Sequence, residues 1–297
     1  MDWLTKMNRA MDYIETHLSG RIELEQVAQQ ACCSSYHFQR MFSFITNVTL
    51  AEYIRRRRLT LAALELLTNG NAKVIEVAMK YGYESPVSFA RAFQQAHGVT
   101  PAMARQQGVS LKAYPRLSFL ISIKGEEAMD YRMETKEAFD VFGIERVFDW
   151  SDETSTPSML WQESEANGEV QRLSENAGPL PPFVNPVMDN VHGIYSYRET
   201  GENTFPYMIG AFKGAGSTAT EDYITVTIPA HTWAIFPSKP FEWSSFDETI
   251  DTLYKRVFSE WFPTSGYEPE GTQLEVFGDE GALGYLELWF AVRKIIK

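Results

Sequence analysis

Two cysteines in 297 residues, and no apolar run approaching the roughly 18 residues a membrane span needs, set the first limits on this chain. Cys32 and Cys33 are neighbours, and a bridge between neighbours is strained, so both are expected as reduced thiols. A redox-sensing pair is the sharper alternative to a turn residue beside a buried one. The opening MDWLTKMNRAMDYIE interleaves charges with apolar positions, unlike the apolar core of a signal peptide, and a cytoplasmic chain is expected. There is no Gly-x-Ser-x-Gly and no phosphate-cradling loop, and Gly214-x-Gly216 reads as a loop alone. His192 and His231 have no cysteine or carboxylate at metal-ligand spacing. No catalytic set, metal or cofactor is therefore expected.

What is present is a globular composition, 44% hydrophobic and 13% aromatic, long enough for two domains. The net charge of −12 is unevenly spread. Residues 1–108 hold 12 Lys/Arg against 9 Asp/Glu, a net of +3, and residues 109–297 hold 15 against 30, a net of −15. A mildly basic half can meet phosphates, whereas a strongly acidic half repels them and attracts cations. Acidity alone is common, so the split suggests separate roles without naming them.

The first half reads as helices. Met7, Met11, Ile14 and Leu18 follow helical spacing to Ser19-Gly20, and Leu24–Ala31 follows. Ser34 then opens a helix with Phe38, Met41, Phe42 and Ile45 on one side, and Thr49 caps a longer one that Asn69-Gly70-Asn71 stops. The pattern repeats with Val74–Lys80, a Gly82 turn, and Ser85–His97 with Pro86 at its first position. A helix-turn-helix needs this sequence of parts: a small inward residue (Ala28, Ala78), a tight turn, then a capped helix exposing polar side chains. Two such units on one connecting helix suit successive major grooves of double-stranded DNA, about 34 Å apart. The exposed positions are Ser35, Tyr36, Gln39 and Arg40 in the first unit and Val87, Ser88 and Arg91 in the second. Gln reads adenine and Arg guanine by paired hydrogen bonds, though either arginine could instead hold a phosphate. Pro86 and Val87 suggest that the second helix anchors more than it reads. Arg55–Arg58 is a further basic patch. Successive helical residues turn about 100°, so Arg55 and Arg56 are candidates for DNA while at least one of the four is expected in an internal ion pair.

These residues resemble the tandem helix-turn-helix domain of the AraC/XylS family. Arg40-x-Phe42, Arg91-x-Phe93, Tyr53, Leu59, Ala78, Gly82-Tyr83 and Thr100-Pro101 carry the resemblance over about 100 residues. It implies a transcription regulator, with activation the leaning, and RNA polymerase as a partner. Cys32 and Asn47 depart from the family by standing where it has turn glycines; a Cys in that geometry costs about 1 kcal/mol.

Beyond about residue 117 the apolar period changes from 3.6 to 2. Strand-like runs fall at Leu117–Ile123, Tyr131–Glu134, Tyr223–Ile228, Thr232–Phe236, Leu274–Phe277 and Tyr285–Val292, with helices near Ser158–Leu173 and Ser245–Trp261. Asp130-Tyr131 matches Asp222-Tyr223 and Ala138 matches Ala230, which suggests a duplicated strand-helix-strand-strand unit with a groove where the copies meet. Ile228-Pro229-Ala230, Trp233–Phe236, Glu260–Pro263, Ser265–Tyr267, Leu274–Val276 and Leu286–Trp289 resemble a GyrI-like (SHS2-type) effector domain. The resemblance implies two domains: an all-α tandem helix-turn-helix domain at 1–108 and, after a linker at 109–128, an α+β duplicated effector-binding domain at 129–297. It further implies a small-molecule effector, cationic or lipophilic, with organic cations among the candidates.

A lipophilic cation needs aromatic faces and a partly desolvated carboxylate. Strand alternation sets Glu275 and Glu287 against their apolar neighbours, and the resemblance favours Glu275 first and Glu287 second. Trp161, Tyr207, Phe212, Trp261 and Trp289 are candidate walls. A solvated sheet face for the glutamates, and core packing for each aromatic, remain the plainer alternatives. Neutralising Glu275 is expected to weaken a cationic ligand and leave DNA affinity intact. Two rival roles stand beside the ligand-gated regulator: an acidic half that docks a protein partner, or one that retains a hydrolase-like activity.

Overall fold

The computed structural model describes residues 3–69, 71–106, 108–119, 128–150, 152, 154–201 and 203–295. Gly70 of the expected helix stop, and residues 120–123 of the expected strand Leu117–Ile123, lie outside them. The chain divides into two compact units. The first draws its described residues from Met1–Cys32 and Thr46–Leu120, the second from Cys33–Ile45 and Ile121–Lys297.

The first unit is helical: α1 (Trp3–Thr16), α2 (Leu24–Ala31), α4 (Leu50–Thr68), α5 (Val74–Lys80) and α6 (Pro86–His97). Thr49 caps α4 by accepting from Glu52 N, and Ser85 caps α6 by accepting from Ser88 N, with Pro86 at the first helical position. Leu59, Ala62, Leu66, Val77, Ala78, Phe89 and Phe93 form one buried cluster on which Leu111 and Tyr114 also pack. Residues 108–119 form no regular element. They are tied down all the same: Asn8 exchanges two 2.9 Å hydrogen bonds with the backbone of Phe119, and Arg116 pairs with Asp12. The strand expected from residue 117 is thus absent over 117–119.

Cys32 ends α2 at φ 56°, and Asn47 holds φ 57°. Both sit in the left-handed region that glycine enters without strain, as the family departures imply. Cys32 is exposed and Cys33 half-buried, and they are not bridged.

The second unit holds α3 (Ser35–Thr46) over residues 35–45, and an eight-stranded antiparallel sheet. The strands are β1 (Arg132–Lys136), β2 (Phe139–Asp149), β3 (His192–Tyr195), β4 (Thr204–Phe212), β5 (Ile224–Ile228), β6 (His231–Pro237), β7 (Tyr267–Glu280) and β8 (Leu283–Lys294). Their order is β1-β6-β8-β7-β3-β4-β2-β5. Exchanging β1–β4 with β5–β8 maps this order onto itself, with β3 and β7 meeting at the centre and each copy lending its first strand to the other. The duplication legible in the sequence is therefore a pseudo-two-fold in the sheet.

Helices α7 (Pro157–Ala166), α8 (Glu169–Ala177), α9 (Phe246–Arg256) and α10 (Phe262–Ser265) complete the unit. The single helix expected over 158–173 breaks at Gly168, whose φ of 77° an α-helix cannot continue through. A π-helical turn, Val257–Trp261, interrupts the second expected helix. Both sheet faces are covered by buried clusters. Leu274, Val276, Met208, Trp233 and Trp289 lie on one; Tyr195, Tyr207, Ile209, Leu160, Leu173 and Tyr36 of α3 belong to the other.

Candidate functional site

The site begins in the register of the central strands. Gly193 lies directly opposite Glu275 and opposite Ile209, while Tyr195 lies opposite Gln273 and Tyr207. Directly opposed residues project to the same face, so Glu275, Tyr195 and Tyr207 converge. Gly193 is what lets them close up: a Cβ there would stand 2.6 Å from Tyr207 Oη and 3.0 Å from Glu275 Oε2.

A carboxylate buried here must find partners, since an isolated charge in an apolar site is prohibitively costly. Tyr254 Oη on α9 donates to Glu275 Oε1 at 2.7 Å, and Tyr195 Oη donates to Oε2 at 3.3 Å. The cationic partner comes from α3. Arg40 Nη2 donates to Glu275 Oε1 at 3.0 Å and to Tyr254 Oη, and Nη1 donates to Tyr36 Oη at 3.2 Å. The Arg40 guanidinium carbon lies 3.5 Å from the Tyr195 ring centroid, 4.7 Å from that of Tyr254 and 5.2 Å from that of Phe44. The side chains of Arg40 and Glu275 are only 3% and 7% exposed. Burial, reinforced by the Glu275 carboxylate, holds the Tyr195, Tyr207 and Tyr254 phenols well above their usual pKa, so they stay neutral and Tyr195 and Tyr254 donate to the carboxylate.

Beside this cluster opens a cavity of about 900 Å³. Glu275, Tyr195, Tyr207 and Tyr254 reach it from the cluster, and Trp161, Trp243, Phe246, Phe277 and Phe44 add apolar wall. Trp161 Nε1 donates to Tyr207 Oη, which fixes both rings. Glu165, Asp189, Asp247 and Asp251 also line it. Burial pushes Asp189 and Asp251 above the ordinary carboxylate range, with Asp279 adding to the effect at Asp189 and Asp247 at Asp251. An aromatic box with a buried carboxylate and an acidic surround is suited to a cation with an apolar body.

Of the residues expected at a ligand site, Glu275, Trp161 and Tyr207 line this cavity, and Glu287, Phe212, Trp261 and Trp289 do not. Glu287 lies opposite Val276 and projects from the other face of the sheet. There Arg132 grips it with two 2.8 Å bonds, and Trp289 Nε1 and Tyr285 Oη donate at 2.8 and 3.2 Å. It is the anchor of an ion pair, with no acceptor capacity left over for a ligand. Phe212 and Trp289 are core on that same face. Trp261 packs on Phe236 and Tyr131, with centroids 5.0 and 5.4 Å apart. The sequence reading missed Tyr195, Tyr254, Trp243, Phe246, Phe277 and Phe44. The β3 run Gly193-Ile194-Tyr195 carried the only signal, its alternation with the strand opposite.

The expected DNA-facing residues divide sharply. In α6, Ser88 and Arg91 are exposed and Val87 is 71% exposed. In α3, Ser35 is half-buried while Tyr36, Gln39 and Arg40 are buried. Their expected exposure does not hold here, because the stripe they form is packed within the second unit. Tyr36 lies 5.6 Å from both Trp150 and Phe205, and Phe44 stacks on Tyr254 at 4.0 Å. In α4, Arg55 reaches Glu52 at 2.6 Å and Arg56 reaches the same carboxylate. Arg57 is the internal member of the run, paired with Glu15 at 2.7 Å and with Tyr114 O. Arg58 donates to the carbonyls of Leu18 and Gly20.

A family described as an integron-associated effector binding protein (Cass2) matches residues 132–292, and a helix-turn-helix domain family matches residues 27–107. The chain is 42% identical over 93 residues to the HTH-type transcriptional activator AarP of Providencia stuartii, covering 31% of this chain and 68% of AarP. It is 37% identical over 97 residues to the regulatory protein SoxS of Salmonella typhimurium, covering 33% of this chain and 90% of SoxS. Among solved structures, an integron cassette protein from the mobile metagenome of Vibrio cholerae aligns with 55% of this chain and 95% of its own, at 14% identity and a TM-score of 0.36.

Proposed function

We propose a function for a chain that belongs to the AraC family of helix-turn-helix regulators and bears a GyrI-like effector-binding domain of the Cass2 type. The protein is a DNA-binding transcription regulator under effector control, and the Glu275 cavity is its effector site. The effector is an organic cation: a positive centre in the box of Tyr195, Tyr254 and Glu275, and an apolar body against Trp161, Tyr207 and Phe277. One observation carries this reading. The buried Glu275 carboxylate is already served by a guanidinium stacked on an aromatic ring, which is how a site selective for cations would look with a side chain standing in for the ligand.

DNA contact is assigned to residues 1–108, through Ser35, Tyr36, Gln39 and Arg40 of α3, Val87, Ser88 and Arg91 of α6, and Arg55 and Arg56 of α4. Residues 109–128 join this part to the effector domain at 129–297. RNA polymerase is the expected partner at the promoter, and no catalytic role is assigned.

The test is a titration of the full chain with tetraphenylphosphonium, followed by quenching of Trp161 and Trp243 fluorescence. Saturable quenching by the cation, at least about tenfold weaker for neutral triphenylphosphine oxide and for Glu275→Gln, supports the reading. Equal affinity for the cation and the neutral compound would refute it.

A further inference from the structure

We infer that Arg40 is the resident cation of the Glu275 cavity, and that an effector works by taking its place and releasing the α3 face that reads DNA. This rests on the cavity being the effector site. Tyr36, Arg40 and Phe44 stand at i, i+4 and i+8, so they form one stripe along α3. Each meets residues elsewhere in its own unit: Tyr36 meets Trp150 and Phe205, Arg40 meets Glu275, Tyr195 and Tyr254, and Phe44 meets Tyr254 and Phe258. Two of the four α3 residues assigned above to DNA contact, Tyr36 and Arg40, are consumed by this packing, and Gln39 is buried with them. The Arg40 side chain is 3% exposed while it pairs with Glu275, so it cannot reach a guanine edge from this position. Docking of α3 and base readout by α3 therefore exclude each other.

The effector and Arg40 exclude each other for the same reason, because both need the Tyr195 face and the Glu275 carboxylate. The docked state is also imperfectly satisfied. Arg40 Nε and Gln39 Nε2 are buried and find no hydrogen-bond partner among the described residues. Two unmet donors weaken the docked arrangement and leave it open to displacement. The cavity beside Arg40 gives a rival an apolar foothold on Trp161 and Phe277 before the guanidinium leaves. Effector and DNA then both favour the released state, so each must tighten the other by the same factor.

The test uses the full chain and a DNA site selected from a random pool in the presence of tetraphenylphosphonium. DNA affinity is read by fluorescence anisotropy and cation binding by tryptophan quenching. The wild type should bind DNA about tenfold or more tightly at saturating cation, and DNA should raise cation affinity by an equal factor. Glu275→Gln and Phe44→Ala should bind DNA without cation as tightly as the wild type does with it. Phe44→Ala leaves Tyr36, Gln39, Arg40 and Glu275 in place, so it serves if Glu275→Gln folds poorly. Cation binding that leaves DNA affinity unchanged, or variants that bind DNA no better than the cation-free wild type, would overturn the inference. If the cation fails to quench while both variants still tighten DNA binding, the cationic effector and its displacement of Arg40 are refuted and the α3 lock alone is supported.

Discussion

Gly193→Ala probes the site by adding one carbon. Ordinary contact begins at 3.4 Å, so a Cβ 2.6 Å from Tyr207 Oη intrudes by about 0.8 Å, and one 3.0 Å from Glu275 Oε2 by about 0.4 Å. Neither neighbour can yield easily. Tyr207 is 1% exposed, bonded by Trp161 and set edge-on to Tyr195 with centroids 4.4 Å apart. Glu275 is held by Arg40 and Tyr254. Overpacking of this kind costs about 1–3 kcal/mol. The disturbance falls first on Tyr207 and then on the carboxylate, both of which line the cavity, so cation affinity should drop about tenfold along with stability. Urea unfolding and quenching titrations measure the two effects. Gly20→Ala, where the added carbon meets only His17 O at 3.9 Å, is the control and should change neither. A Gly193→Ala protein with wild-type stability and cation affinity would refute the claim that this glycine shapes the site.

Three further outcomes follow from particular residues. Cys32→Gly should stabilise the chain by up to about 1 kcal/mol in thermal unfolding, because it removes the side chain from a φ of 56°. Burial pushes His37 and His192 down to about 3, with the Arg40 charge adding to the effect at His37. Folded-state values below the unfolded one mean that the unfolded chain binds more protons between roughly pH 6.5 and 3, so stability is lost as pH falls through that window, by about 2 kcal/mol per histidine at pH 5. His192→Phe should flatten the measured stability slope there; an unchanged slope would count against the assignment. Arg132→Met should lower stability by about 2–3 kcal/mol, a range discounted from a fully buried pair because Arg132 is 37% exposed. It should leave cation affinity unchanged, and a loss of binding would return Glu287 to the ligand site.

Much of this was readable from residue order because local rules fix it. Ser85-Pro86 dictates a helix start, Cys32 and Asn47 occupy the turn positions, and the matching Asp130-Tyr131 and Asp222-Tyr223 announce the repeated unit. Glu275 was legible because alternation in β7 isolates a carboxylate between Leu274 and Val276. Alternation gives only the relation between neighbours, however. It does not say which face of a sheet buried on both sides faces a cavity, so Glu287, ranked second, and Phe212 and Trp289 stood as candidates beside Glu275 and Tyr207. The position of Arg40 was illegible for a stronger reason. Its partner is 235 residues away, and nothing within α3 distinguishes an arginine meant for DNA from one that also fits an aromatic box. The expected independence of DNA affinity from Glu275 gives way to the opposite prediction once that pairing is seen.

The most direct measurement is hydrogen exchange of the α3 backbone amides, residues 38–45, in the full chain with and without tetraphenylphosphonium. Docked α3 is expected to be protected without cation and to exchange about tenfold faster or more at saturation, while the β7 amides around Glu275 stay protected. Unchanged α3 protection at a concentration that fully quenches the cavity tryptophans would contradict the account.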